Sequence, residues 1–123
     1  MTTPKAVKSK PGIADGEVEL PAFDREVLAL HTMQDELLQR EVLEMFLAQL
    51  SNVHSRIAQG PIPSGEGKVL AHTLRGAAAT VGAKQIAAIA SWWEEKPTWS
   101  PQLKLEMERA ILAFIAEASI TIL

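Results

Sequence analysis

Apolar residues recur three and four positions apart along most of the chain. Between residues 34 and 59 this spacing places five of them in one stripe along a helix: Leu43, Phe46, Leu50, Val53 and Ile57. Four more widen the stripe, as is typical of a helix that packs against several neighbours: Leu37, Leu38, Val42 and Leu47. The pattern therefore predicts one long amphipathic helix over residues 34–59.

Residues that begin and end helices mark out two more elements. Asp24 is the expected N-cap of a short helix over residues 24–30. Ser64 is the expected N-cap of a helix that reaches Val81. Gly82 follows at the position where a residue with left-handed backbone geometry ends a helix. A tight turn is expected there.

Two further helices are expected after this turn, and no strands. One helix covers residues 83–95 and stops before Pro97, and Ser100 followed by Pro101 is typical of an N-cap and a first helical residue. No stretch alternates apolar and polar residues as a half-buried strand does. The sequence therefore predicts an all-α fold, an antiparallel four-helix bundle with a short additional N-terminal helix. The stripe of the last helix comprises Leu103, Met107, Ala110, Ile111, Phe114 and Ala118.

The first 17 residues differ in composition from the rest. They contain three lysines, two prolines and two glycines but almost no large apolar residue, so they cannot offset the entropy lost on folding. We expect a flexible tail over residues 1–17. Since 123 residues suffice for about one domain, we expect a single helical bundle over residues 18–123.

Composition and charge exclude several classes of function. The chain has no cysteine, which excludes a disulfide framework, a thiol nucleophile and a thiolate metal site. Its formal net charge of −3 falls to −6 without Lys5, Lys8 and Lys10, and such a body lacks the basic surface that binds nucleic acid. No apolar segment has the length of a membrane span or of a signal peptide core. We therefore expect a cytoplasmic protein that binds neither membrane nor nucleic acid.

The helix that ends at Val81 carries an unusual outward face. Its apolar spacing turns Leu74 towards the core, about 160° around the helix from His72. A glycine inside a helix costs about 1 kcal/mol relative to alanine, so Gly76 calls for a reason, and close approach of another molecule is one. Two cations beside an imidazole, with small residues around it, suit a phosphorylated histidine. The residues within roughly 60° of His72 are Lys68, Arg75, Gly76 and Ala79.

The segment from Ala71 to Ala83, AHTLRGAAATVGA, resembles the signature of histidine-containing phosphotransfer (HPt) domains. That signature is a histidine, one variable residue, Leu-Lys-Gly, two small residues, three variable residues and a Gly-Ala pair. The similarity covers about residues 20 to 118. Two positions depart from the pattern: Arg75 replaces the usual lysine and keeps the charge, and Ala77 replaces the usual serine and loses a hydroxyl.

The resemblance implies a phosphorelay protein without ATP-binding or kinase activity. His72 would accept a phosphoryl group from the aspartate of a receiver domain and pass it to another, and Arg75 and Lys68 would stabilise the phosphate. Receiver domains or a hybrid histidine kinase would be the partners, docking on a monomer. The chain itself would need no cofactor or metal, since the Mg²⁺ belongs to the receiver. The docking residues would be Gly76, Ala79 and Val69.

Three other groups of residues are less suited to a functional role. His31 and His54 could join His72 in a metal site, but no pair has ligand spacing, and we interpret both as solvated. Glu94 and Glu95 cannot face each other on a helix, so we interpret them as a solvated face. The tryptophans could form a binding surface, but Trp93 lies on a core stripe.

Two other functions stay open. A helical bundle of this kind could bind receiver or kinase partners without being phosphorylated, and phosphoryl labelling of His72 separates that case from a relay. The second alternative is a fragment of a histidine kinase. Two features argue against it: Thr73 stands where such kinases have an acidic residue, and 123 residues leave no room for an ATP-binding domain.

Overall fold

Five helices account for most of the part of the chain that the computed structural model describes, residues 20–121, and that part contains no strand. This confirms the predicted all-α fold. The predicted tail, residues 1–17, lies outside the described residues. The helices are α1 (Arg25–His31), α2 (Glu36–Ala58), α3 (Ser64–Val81), α4 (Lys84–Glu95) and α5 (Pro101–Thr121).

Side-chain caps fix three of the helix starts. Asp24 accepts a hydrogen bond from the Glu26 amide at 3.1 Å, and Asp35 accepts one from the Leu38 amide at 3.0 Å. Ser100 accepts one from the amide of Leu103 at 3.1 Å, as the sequence predicted for α5. The prediction for α3 was wrong in detail, because the helix begins at Ser64 itself and its cap position has no side-chain hydrogen bond.

Helices α2 to α5 form an antiparallel four-helix bundle, and α1 packs across the end of α2 and α3. The apolar stripes predicted from the sequence face inward with one exception, Leu37, which is 66% exposed. The prediction for Leu37 was wrong because it lies about 120° around the helix from Leu43, and Gln39 takes the buried position in that first turn.

Phe23, before α1, meets Phe114 edge to face, with ring centroids 5.2 Å apart, and Phe46 meets Phe114 at the same distance. Trp93 is buried, while Trp92 and Trp99 are half-buried against the core, which favours the packing interpretation of the tryptophans.

The turn between α3 and α4 is the tightest connection in the bundle. Gly82 has φ of +87°, the left-handed geometry expected of a helix-ending glycine, and its carbonyl accepts a hydrogen bond from the Asp24 amide at 2.8 Å. A side chain at Gly82 would overlap the Asp24 carbonyl oxygen. Of all helix pairs, α3 and α4 therefore pack most extensively, and they carry the site described next.

No helix among the described residues has the length and apolar character needed to cross a membrane.

Candidate functional site

His72 lies near the middle of α3 on the face that points away from the core. Its side chain is 65% exposed, whereas Leu74 and Ala78 are fully buried on the opposite side of the helix. This is the orientation that the sequence predicted. An imidazole so placed is open to another protein while the helix beneath it is held by the core.

The structure places the other predicted site residues around His72. Lys68 lies one turn before it and Gly76 one turn after it, both exposed, and Ala79 and Val69 are exposed as well. A Cβ built on Gly76 would meet nothing within 4 Å. Packing within the chain therefore does not require a glycine at this position.

A carboxylate that the sequence analysis assigned to solvent completes the site. Glu94, on α4, is only 22% exposed, and its Oε2 lies 2.8 Å from Nδ1 of His72. Its Oε1 accepts a hydrogen bond from Nε of Arg75 at 2.7 Å. The solvated interpretation of Glu94 was wrong because that argument considered neighbours on α4 alone, while the partners lie across the interface on α3. Glu95 is exposed, as expected.

The spacing of His72 and Glu94 from the turn between α3 and α4 is the sequence signal that points to Glu94. His72 and Glu94 each lie 11 residues from Ala83, one on either side. Two antiparallel helices that leave a tight turn rise at the same rate, about 1.5 Å per residue, so residues equally far from the turn sit at the same height. His72 and Glu94 therefore sit at the same height, and their side chains meet across the interface at 2.8 Å.

Charge and hydrogen bonds at the site favour one form of the imidazole. The hydrogen bond from Arg75, and then that from His72, lowers the pKa of the Glu94 carboxyl below its ordinary value, so Glu94 is ionised near neutral pH. A carboxylate only accepts hydrogen bonds, so Nδ1 donates to it at 2.8 Å. The alternative, in which Nδ1 accepts from Nη2 of Arg75, has the longer distance of 3.3 Å. The neutral ring therefore carries its proton on Nδ1 and its lone pair on Nε2.

The other two histidines are not joined to this site. His31 is exposed at the end of α1, and its Nδ1 lies 2.9 Å from the carbonyl oxygen of Thr80. His54 is exposed on α2. Within residues 20–121 no cluster of three His, Cys, Asp or Glu side chains could hold a metal ion.

The family model of the Hpt domain matches residues 41–117 of the chain. The matched segment is more than half of the chain and contains His72 and Glu94. Neither curated proteins nor solved structures gave a match. An exposed, oriented histidine on a helical bundle and the family match lead to one conclusion: the chain belongs to the Hpt family of histidine-containing phosphotransfer domains.

Proposed function

We propose that the protein is a phosphorelay intermediate in which His72 carries a phosphoryl group between aspartates of receiver domains. Membership of the Hpt family implies a phosphotransfer role in two-component signalling, and Hpt domains are phosphocarriers that interact with receivers and kinases. The observation that carries the finer proposal is the hydrogen bond between Glu94 and Nδ1 of His72. It leaves Nε2 free as a nucleophile on an exposed face.

The transfer step is a direct displacement at phosphorus. The Nε2 lone pair of His72 forms the N–P bond, and the bond from phosphorus to the receiver's aspartate oxygen breaks with its electron pair left on the carboxylate. The ring keeps its proton on Nδ1, so it gains positive charge, and the Glu94 carboxylate 2.8 Å away offsets that charge. Donation to a second receiver is the same displacement in reverse.

Positive charge on α3 supports the phosphorylated state. Lys68 lies one turn before His72 on the exposed face, and Arg75 lies about one turn after it with its Nε bound to Glu94. Cations near a phosphoryl group stabilise its negative charge, and the receiver brings the Mg²⁺ that such transfers use. We therefore assign no metal to this chain.

The docking surface lies on the side of His72 that faces α2. Val69 is 67% exposed on α3, the helix that also carries Gly76 and Ala79, and Met45 is 73% exposed on α2, so both leave apolar surface uncovered. An apolar groove between α2 and α3 adjoins Met45. A small interface of less than about 1,200 Å² suits a partner that must exchange rapidly.

The test is transfer from a panel of receiver domains, phosphorylated on aspartate in the presence of Mg²⁺, to the full chain. We expect the label on wild type and none on His72→Gln. His31→Gln and His54→Gln are matched controls that keep it, and His31 is the sharper one because it too is exposed with Nδ1 near an acceptor. Receivers that bind equally to wild type and to His72→Gln without ever labelling the wild type would instead show an interaction module.

A further inference from the structure

We infer that Arg75 is a positioning residue, which acts on His72 through Glu94, and that Lys68 is the cation that stabilises the phosphoryl group. This inference rests on the proposed function and divides between two residues a role that the sequence analysis gave to both. Three observations support it: the side of the imidazole on which the guanidinium lies, the charge balance there, and the position of Lys68.

The guanidinium of Arg75 lies on the wrong side of the ring to meet the phosphoryl group. Its Nε donates to Glu94 at 2.7 Å and its Nη2 lies 3.3 Å from Nδ1 of His72. In an imidazole, Nδ1 and Nε2 are separated by Cε1, and the directions of their substituents diverge. A phosphoryl group on Nε2 therefore points away from the side that Arg75 occupies.

The charge of Arg75 is already balanced. Glu94 is ionised, and the hydrogen bond from Arg75 is the largest cause of its lowered pKa. The pair is formally neutral, so it contributes little net attraction for a phosphoryl group. Its effect is instead to hold the carboxylate at the height of His72, where it fixes the proton on Nδ1.

Lys68 is neither bound on the Nδ1 side of the ring nor neutralised by a carboxylate, as Arg75 is. It lies one turn before His72 on the same exposed face, and among the described residues no carboxylate forms an ion pair with its ammonium group. Four flexible carbons let that ammonium follow the phosphoryl oxygens as they arrive. Its charge is therefore available to the phosphorylated state.

A double-mutant cycle separates the two roles, with the rate of transfer from a phosphorylated receiver as the readout. Arg75→Gln is expected to slow transfer about tenfold in wild type but less than about twofold in a Glu94→Gln background, since the two residues act as one network. Lys68→Gln is expected to slow transfer by the same factor in both backgrounds. Arg40→Gln, an exposed charge loss on α2, is the matched control and leaves the rate unchanged.

Nitrogen NMR of the His72 ring gives a readout that the loss of a phosphate contact alone would not move, and thermal unfolding of each variant shows that the bundle is intact. The fraction of neutral imidazole protonated on Nδ1 should fall in Arg75→Gln and in Glu94→Gln and stay constant in Lys68→Gln. Equal slowing by Arg75→Gln in both backgrounds, with an unchanged ring, would show that Arg75 contacts the phosphoryl group and overturn the inference. Absence of label on wild-type His72 would instead contradict the proposed function.

Discussion

Replacing Gly76 by glutamine separates docking from stability. Gly76 is exposed, one turn after His72, and a Cβ there meets nothing within 4 Å. Glycine is about 1 kcal/mol worse than alanine in a helix, and glutamine recovers at least half of that difference. Because no clash opposes the gain, Gly76→Gln should stabilise the bundle by about 0.5 kcal/mol, which raises the melting temperature by about 2–4 °C.

The same substitution should impair transfer. A glutamine side chain at Gly76 extends from the surface on which the receiver approaches His72, and it keeps the aspartate from reaching Nε2. A displacement of about 1 Å at the reacting atoms can cost roughly 10²-fold in rate. Gly76→Ala adds one methyl group only, so it should give a similar or larger gain in stability with a much smaller loss of rate.

The assay measures thermal unfolding and receiver-to-His72 transfer on the same preparation. Gly67 is the contrasting position: it is buried in α3, and a Cβ there would lie 3.0 Å from Nε1 of Trp93, a bulky side chain that is only 1% exposed and is packed on all sides. Gly67→Ala should therefore destabilise the bundle by about 1 kcal/mol despite its better helix propensity. If Gly76→Gln lowers the melting temperature sharply and leaves transfer intact, Gly76 is a packing residue and the docking reasoning fails.

Three other predictions follow from single observations. Gly82→Ala should destabilise the fold by at least about 2 kcal/mol in denaturant titration, because φ is +87° and a Cβ overlaps the Asp24 carbonyl; a smaller loss would mean that the turn rearranges. The pKa of the Glu94 carboxyl should lie below that of an unpaired glutamate in carbon NMR, because it accepts hydrogen bonds from Arg75 and His72. Its pairing is therefore present near neutral pH and lost as pH falls through the lowered pKa, and Arg75→Ala should raise that pKa. The label on His72 should be lost in acid and kept in alkali, as a phosphoramidate is; acid-stable label would place the phosphate elsewhere.

The bundle could be predicted because each of its signals is local. The spacing of Leu43, Phe46 and Leu50 defines the buried side of α2, and Gly82 and Pro101 mark an end and a start that the structure confirms. The boundaries moved by one or two residues where capping decides them: α2 begins at Glu36 because Asp35 is its cap. Local patterns therefore sufficed for the fold.

The candidate site was predicted in part. The exposed face of α3 follows from the same periodicity as its core, so His72 and its neighbours on that helix were identified. Glu94 was not, because a carboxylate on α4 has no local pattern that distinguishes a solvated side chain from one that accepts two hydrogen bonds. Its role depends on the register between two helices, and that register is set by the turn at Gly82.

The placement of Glu94 meets two requirements that conflict. A phosphoryl acceptor must be accessible to a second protein, yet an exposed side chain ordinarily rotates among several rotamers. Here the ring of His72 is held from one side only: Nδ1 is bound by a carboxylate that Arg75 in turn holds on the neighbouring helix, while 65% of the side chain stays exposed. The His72 ring is therefore held in one orientation through Nδ1, on the side turned away from an incoming partner. Nε2 is left both oriented and accessible. A histidine on an isolated helix would have access without orientation, so the role we propose for His72 requires the α3–α4 pair rather than α3 alone.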